Sequence, residues 1–168
     1  MASNNPQTGL RVGLIKGAEF FVSKMGQKID SEKSLSSKIK EAISTGSPVV
    51  ESNGGHIDIT IDSSKDGPAP MAAAFEYGSG IHGEEGEKYK ITHKTAGKAL
   101  QIPRGRWEKF NPPPDQDPLY FMGVMHPGVK AVPYIRPTIV DNKKEIAKII
   151  GREFVASISL GGKVTIIE

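Results

Sequence analysis

Residues 48–62 read P-V-V-E-S-N-G-G-H-I-D-I-T-I-D, and this stretch decides the fold class of the chain. In its second half, isoleucines alternate with polar residues, which places Ile57, Ile59 and Ile61 on one face of a strand. Asn53-Gly54, a dipeptide common in tight hairpin turns, follows two valines. The stretch therefore predicts a β-hairpin.

Helical patterns lie on both sides of this hairpin. Upstream apolar residues recur at three- and four-residue spacing, as along one face of a helix: Ile15, Ala18, Val22, Met25 and Ile29. A second short helix is predicted to follow, capped by Asp30 or Ser31, to carry Leu35, Ile39, Ala42 and Ile43, and to end at Gly46. Near the C-terminus, Asp141 is a plausible N-cap for a helix with a four-spaced apolar row: Ile146, Ile150, Phe154 and Ile158.

The rest of the chain completes an α+β pattern. Residues 88–94 alternate as a strand does, and a final strand is predicted over 163–168. The order of elements predicts a single domain, 1–168, in which a small, mostly antiparallel β-sheet packs against N-terminal and C-terminal helices. Residues 1–9 are expected to be disordered, and 80–90 and 103–120 to form long loops. A proline-rich loop of that length usually has a function or becomes ordered against a partner.

Composition excludes several classes of protein. The chain has 168 residues, 22 basic and 19 acidic, and no cysteine, which rules out disulfides, thiolate metal sites and cysteine nucleophiles. The net charge of +3 is too small to argue by itself for nucleic-acid binding. The polar N-terminus lacks the apolar segment of a signal peptide, and no apolar run is long enough to span a bilayer. We expect a soluble protein made in a cytoplasm, with no membrane partner.

Residues 78–83, G-S-G-I-H-G, match the letters of the dinucleotide fingerprint G-x-G-x-x-G. That fingerprint works only between a strand and a helix whose N-terminus receives the pyrophosphate. Here a further glycine and three glutamates follow, then an alternating pattern, and the region about 20 residues on has no acidic residue for a ribose. The sequence favours an ordinary loop between two strands and no nucleotide cofactor.

Other catalytic and metal-binding patterns are also weak. The four histidines, His56, His82, His93 and His126, and the nearby Glu84, Glu85 and Glu87 do not have the spacing of a helical metal-binding pair. Glu76 is the one carboxylate in an apolar stretch, A-A-A-F-E-Y-G. We favour an outward-facing position for it on an edge strand, or a salt bridge to a neighbouring chain, over catalysis. No catalytic residue, metal or cofactor is predicted.

Residues 104–110 interleave cations with aromatic side chains: Arg104, Arg106, Trp107, Lys109 and Phe110. Single-strand nucleic-acid binders have this composition. A loop that packs on another protein has the same composition, because tryptophan, phenylalanine and arginine are common interface anchors. Both interpretations remain open.

Two segments together resemble a known family. Residues 72–79, A-A-A-F-E-Y-G-S, are similar to the E-[YF]-G-[TS] element of the head–tail joining (neck or tail-completion) proteins of long-tailed bacteriophages. Residues 124–139, V-M-H-P-G-V-K-A-V-P-Y-I-R-P-T-I, are similar to that family's later H-P-G … P-[FY]-[LIM]-R-P-A element. Residues between them, K-Y-K-I-T-H-K-T-A-G-K-A-L, resemble an insertion that many members carry. Ser79, Tyr134 and Thr138 stand where threonine, phenylalanine and alanine are commoner.

The resemblance implies a structural virion protein with no enzymatic activity. Its copies would form a closed ring, sixfold in symmetry, between the head-closure ring and the tail-terminator or tail-tube ring, with DNA passing through the lumen without sequence specificity. Alternatives are the tail-terminator ring itself and a nucleic-acid-binding protein. The residues expected at subunit or partner interfaces are Glu76, Tyr77, Gly78, Arg104, Arg106, Trp107, Phe110, His126, Pro133, Tyr134, Arg136 and Pro137.

Overall fold

A computed structural model describes residues 6–35, 37–62, 69–103 and 118–158. The helices in these ranges are α1 (Pro6–Ser31), α2 (Ser37–Glu41), α3 (Ala69–Tyr77) and α4 (Ile135–Ile158). The strands are β1 (Ile43–Thr45), β2 (Val49–Glu51), β3 (Gly54–His56), β4 (Ile59–Ile61), β5 (Tyr89–Ile91), β6 (Leu100–Ile102), β7 (Leu119–Phe121) and β8 (Val124–His126). The predicted α+β class is confirmed.

The strands form antiparallel pairs: β1 with β4, β2 with β3, β5 with β8, and β6 with β7. The predicted hairpin is confirmed as β2 and β3, with Val49 opposite His56 and Glu51 opposite Gly54. The alternating stretch is not one strand, however, because the backbone at Asp58 leaves the hairpin and its carbonyl accepts the Gly46 N–H at 2.8 Å. After this break, β4 pairs with β1 and places Ile61 opposite Ile43.

Tertiary contacts divide the chain into two compact units, one formed by the chain up to Glu76 and from Val132 onward, the other by Tyr77–Ala131. The core of the first unit is a cluster of buried side chains: Met25, Ile29, Leu35, Ile39, Ala72 and Tyr134. Ile59 and Ile61, which were predicted to share one face of a strand, both pack against this cluster. In the second unit, none of the described residues is fully buried.

Helices α1 and α4 pack against each other through a glycine stripe on α1: Gly9, Gly13 and Gly17. At Gly13, a Cβ atom would lie 2.9 Å from the carbonyl oxygen of Ile150 and 3.0 Å from its Cα, so only glycine leaves room for that backbone. Ile146 and Ile150 face Gly17, as their four-residue spacing predicts. The spacing of four residues keeps the stripe on one face of α1, where the two helices approach most closely.

Several predicted boundaries are wrong. Pro6 occupies the first position of α1, where its missing N–H costs no hydrogen bond, so residues 6–9 are helical and not disordered. Asp30 and Ser31 lie inside α1 and do not cap the next helix. That helix ends at Glu41, because Ile43 enters β1. The predicted strand at 163–168 lies outside the described residues.

In the second unit, β5 confirms the strand predicted within 88–94. Pairing places Tyr89 opposite His126 and Leu100 opposite Phe121. The predicted loop at 103–120 lies largely outside the described residues. Among the helices that the structure describes, none is long and apolar enough to cross a bilayer.

Candidate functional site at the start of the C-terminal helix

The Glu76 side chain, only 1% exposed, lies at the N-terminus of α4. Its Oε2 accepts hydrogen bonds from the backbone N–H groups of Tyr134 at 2.8 Å and Ile135 at 2.9 Å. Its Oε1 accepts the Arg136 N–H at 3.1 Å. A single carboxylate from α3 therefore binds three consecutive backbone donors.

Proline at position 137 completes this cap. The first four N–H groups of a helix have no partner within the helix. Glu76 binds the first three, and Pro137 has no N–H to satisfy. The negative carboxylate also lies at the positive end of the helix dipole. α4 consequently starts at Ile135, and the predicted Asp141 cap is wrong.

Arg136 makes a second set of bonds to the same glutamate. Its Nε donates to Glu76 Oε1 at 2.9 Å, and its Nη2 donates to the Glu76 carbonyl oxygen at 2.8 Å. Burial by itself raises the pKa of Glu76, but the three backbone N–H donors and the Arg136 guanidinium outweigh it and hold that pKa below its ordinary value. Glu76 is therefore an anion at neutral pH, with both oxygens bonded inside its own chain.

Tyr134 precedes α4 and points into the core, where it is fully buried. Within the described part of the chain, its hydroxyl has no hydrogen-bond partner. Burial, reinforced by the negative charge of Glu76, raises the pKa of Tyr134 to about 12. The Thr138 hydroxyl donates to the Tyr134 carbonyl at 2.6 Å and lies buried in the first turn of α4.

In the second unit, the glycine-rich segment 78–83 lies close to the backbone of residues 127–129. The Ser79 N–H donates to the Val129 carbonyl at 2.9 Å, and the Val129 N–H donates to the Ser79 hydroxyl at 3.0 Å. Gly80 and Gly128 both have positive φ, at 61° and 98°, and a side chain on either would overlap the backbone of the opposite segment. The glycines thus permit a close crossing of two chain segments.

The His126 side chain closes a turn at His126-Pro127-Gly128. The Gly128 N–H donates to His126 Nδ1 at 2.9 Å. The Ile81 N–H donates to the Pro127 carbonyl at 2.8 Å, so this turn also supports the short 3-10 helix Gly80–His82. His126 packs its ring on Tyr89, with 5.4 Å between ring centroids.

The residues proposed for interfaces have different environments. Glu76 lies in a helix and is buried, so the predicted outward position on an edge strand is wrong, and it pairs with Arg136 of its own chain. Tyr77 is 65% exposed, and the Arg136 side chain is 57% exposed. Gly78, His126, Pro133 and Pro137 are half-buried. Arg104, Arg106, Trp107 and Phe110 lie outside the described residues.

Within the described ranges, no three His, Asp or Glu side chains converge as metal ligands would. No protein-family model, curated protein or solved structure matches this chain significantly.

Proposed function

We propose that this chain is a structural subunit of the head–tail junction of a long-tailed bacteriophage. Its copies form a closed ring, sixfold in symmetry, that joins the DNA-filled head to the tail. The ring stacks between the head-closure protein and the tail-terminator or tail-tube protein, and DNA passes through its lumen without sequence-specific contacts. The chain has a structural role there, as a component of the virion.

The observation that best supports this proposal is the pairing of Glu76 with Arg136. The two residues come from the two short elements on which the resemblance rests, and they are 60 positions apart. If the two segments resembled the family only by chance, their residues would have no reason to contact each other in the folded chain. If the chain has the family's fold, such a contact is expected. Ser79 and Val129, from the same two elements, are also bonded to each other.

Exposed apolar side chains give a second line of support. In the second unit, Tyr77, Tyr120, Met122 and Met125 are largely exposed. Aromatic residues and methionine are enriched where proteins meet. A subunit that is completed by its neighbours has this kind of surface.

The test is microscopy of a phage lysate in which the gene for this chain is deleted. We expect DNA-filled heads beside separate tails of normal length, and intact virions when the gene is supplied in trans. Free tails of irregular length would instead assign the chain to the tail-terminator ring. Infectious, intact virions without the gene would overturn the proposal.

A further inference from the structure

The second unit carries an exposed acidic loop, residues 83–87, with the sequence G-E-E-G-E. Glu84, Glu85 and Glu87 are all exposed, and none of them makes an ion pair within the described residues. Like charges this close repel one another, so the loop favours contact with cations.

Backbone hydrogen bonds hold the acidic loop and the residues just before it in place. The Ile81 N–H donates to the Pro127 carbonyl at 2.8 Å, and the Gly83 N–H donates to the Gly80 carbonyl at 3.0 Å. The Gly86 N–H then donates to the Gly83 carbonyl at 3.2 Å. Because the backbone is held in this way, binding through the glutamates requires little additional ordering of the loop. Ile81, at its base, is 46% exposed.

The first unit carries a complementary surface, the basic row of α4: Lys144, Lys148 and Arg152. The residues are four apart and therefore share one face of the helix over about 12 Å. All three are exposed. Lys144 and Lys148 have no ion pair among the described residues, and Arg152 Nε lies 3.9 Å from Glu153. Val140, one turn before the row, is 62% exposed.

Other charges on the helix affect what the basic row can bind. Asp141 and Glu145 are also exposed on α4, so residues 141–152 contain two carboxylates and four cations, the fourth being Lys143. A uniform polyanion such as DNA would meet these two carboxylates. A short acidic loop with an adjacent apolar residue can instead align its glutamates with the cations and Ile81 with Val140.

We propose that the acidic loop of one copy docks on the basic row of α4 of a second copy. This inference rests on the proposed function and names the contact that would join neighbouring subunits in the ring. Two unlike surfaces on one chain form a heterologous, head-to-tail interface, and such an interface closes into a ring when its rotation permits. The charges set register and partner choice, and the apolar residues add affinity.

The experiment uses two full-length variants, E84K/E85K/E87K and K144E/K148E/R152E, studied alone and mixed in equal amounts. Light scattering after size exclusion measures their mass, and circular dichroism checks that each is folded. We expect the wild type to form an oligomer, and each variant alone to associate roughly tenfold more weakly or worse because like charges then meet. Mixing the two should restore association, since each supplies the surface that the other needs. K143E, on α4 but off the row, is the matched control and should assemble as the wild type does.

Other outcomes separate this inference from the proposed function. If both variants assemble as the wild type does, the docking contact is overturned while the ring still stands. If the wild type stays monomeric at every concentration, the self-assembled ring itself is overturned, and the docking contact with it. If K144E/K148E/R152E assembles normally but loses salt-sensitive binding to duplex DNA, the basic row binds nucleic acid and not a second copy.

Discussion

Arg136 Nε lies 2.9 Å from Oε1 of Glu76, and the same carboxylate accepts the backbone N–H of Arg136 at 3.1 Å. One arginine thus bonds to one glutamate through both its side chain and its main chain. Because the Glu76 carboxylate is almost fully buried, its charge depends on these donors to replace water. The pair joins α3 to α4 and fixes where α4 begins.

Replacing Glu76 should therefore destabilise the protein strongly. Glu76→Ala leaves three helix-terminal N–H groups and the Nε of Arg136 without their carboxylate acceptor, and loss of a partner from a buried ionic network costs about 3–5 kcal/mol. Glu76→Gln should cost less, because an amide oxygen still accepts. Urea unfolding measures both. Glu84→Gln, at an exposed carboxylate, is the control and should change the free energy of unfolding by less than about 0.5 kcal/mol; an unchanged midpoint for Glu76→Ala would contradict the assigned cap.

Acid should remove the contribution of the Glu76 carboxylate to the stability of the folded protein. Its pKa is lowered in the folded state, so folding favours the anion, and the resulting stabilisation is present above the unfolded pKa of about 4.3. That stabilisation is lost as pH falls through the lower, folded pKa. We expect the stability difference between wild type and Glu76→Gln to shrink as pH falls below about 4. Thermal melts of both proteins across the acid range measure it, and a difference that does not vary with pH would argue against the lowered pKa.

The Tyr134 hydroxyl should add no stability. A buried hydroxyl without a partner costs about 1–3 kcal/mol, so Tyr134→Phe should be neutral or stabilising. Tyr134→Ala should lose about 3–5 kcal/mol, because it removes a ring from the core. Chemical denaturation of the two variants distinguishes the contribution of the ring to stability from that of the hydroxyl. A loss above 1–2 kcal/mol in Tyr134→Phe would mean that the hydroxyl has a bonding partner.

Alkali provides an independent test of the same side chain. The pKa of Tyr134 is about 12 in the folded state and about 10 in an unfolded chain, so folding favours the neutral phenol. Ionisation of this phenol therefore costs no stability below pH 10, and it lowers the free energy of unfolding progressively as pH rises from about 10 to about 12. Tyr134→Phe should lack this part of the alkaline loss. Identical alkaline profiles for the two proteins would place the Tyr134 hydroxyl in contact with water.

The glycine stripe can be tested with a matched pair of alanines. Gly13→Ala should destabilise the packing of α1 on α4, because its Cβ would press on the backbone of Ile150, which cannot rotate away. Gly151→Ala, in α4, has nothing within 4 Å of the added atom and should gain up to about 1 kcal/mol of helix propensity. Thermal melts should show opposite shifts. Equal shifts would mean that the helices do not approach closely at Gly13.

The periodic spacing of apolar residues in the sequence was sufficient to predict the fold class. Ile59 and Ile61 pack against the core, and Ile146 and Ile150 face Gly17, because alternation and helical spacing place apolar side chains on one face of an element. The cap of α4 could not be predicted in this way, since its acceptor, Glu76, is far from it in sequence. Apolar neighbours in 72–77 suited a strand as well as a helix, so the same residue was assigned to the wrong element.

The glycine stripe did leave a signal. Gly9, Gly13 and Gly17 are four apart in a segment whose other residues favour helix, and glycine lowers helix propensity by about 1 kcal/mol unless something is gained from its lack of a side chain. Here the missing side chains allow α4 to pack closely against α1, and this packing compensates for the lower helix propensity. The docking surfaces, by contrast, depend on which charges remain exposed and unpaired after folding.

The Val132 N–H donates to the Phe75 carbonyl at 2.7 Å, so the chain leaves the first unit and returns to it at neighbouring backbone positions. The segment Tyr77–Ala131 is thus an insertion whose two ends are already held together, and lengthening such a loop costs little free energy. Evolution can therefore shorten, extend or replace this insertion without disturbing the core.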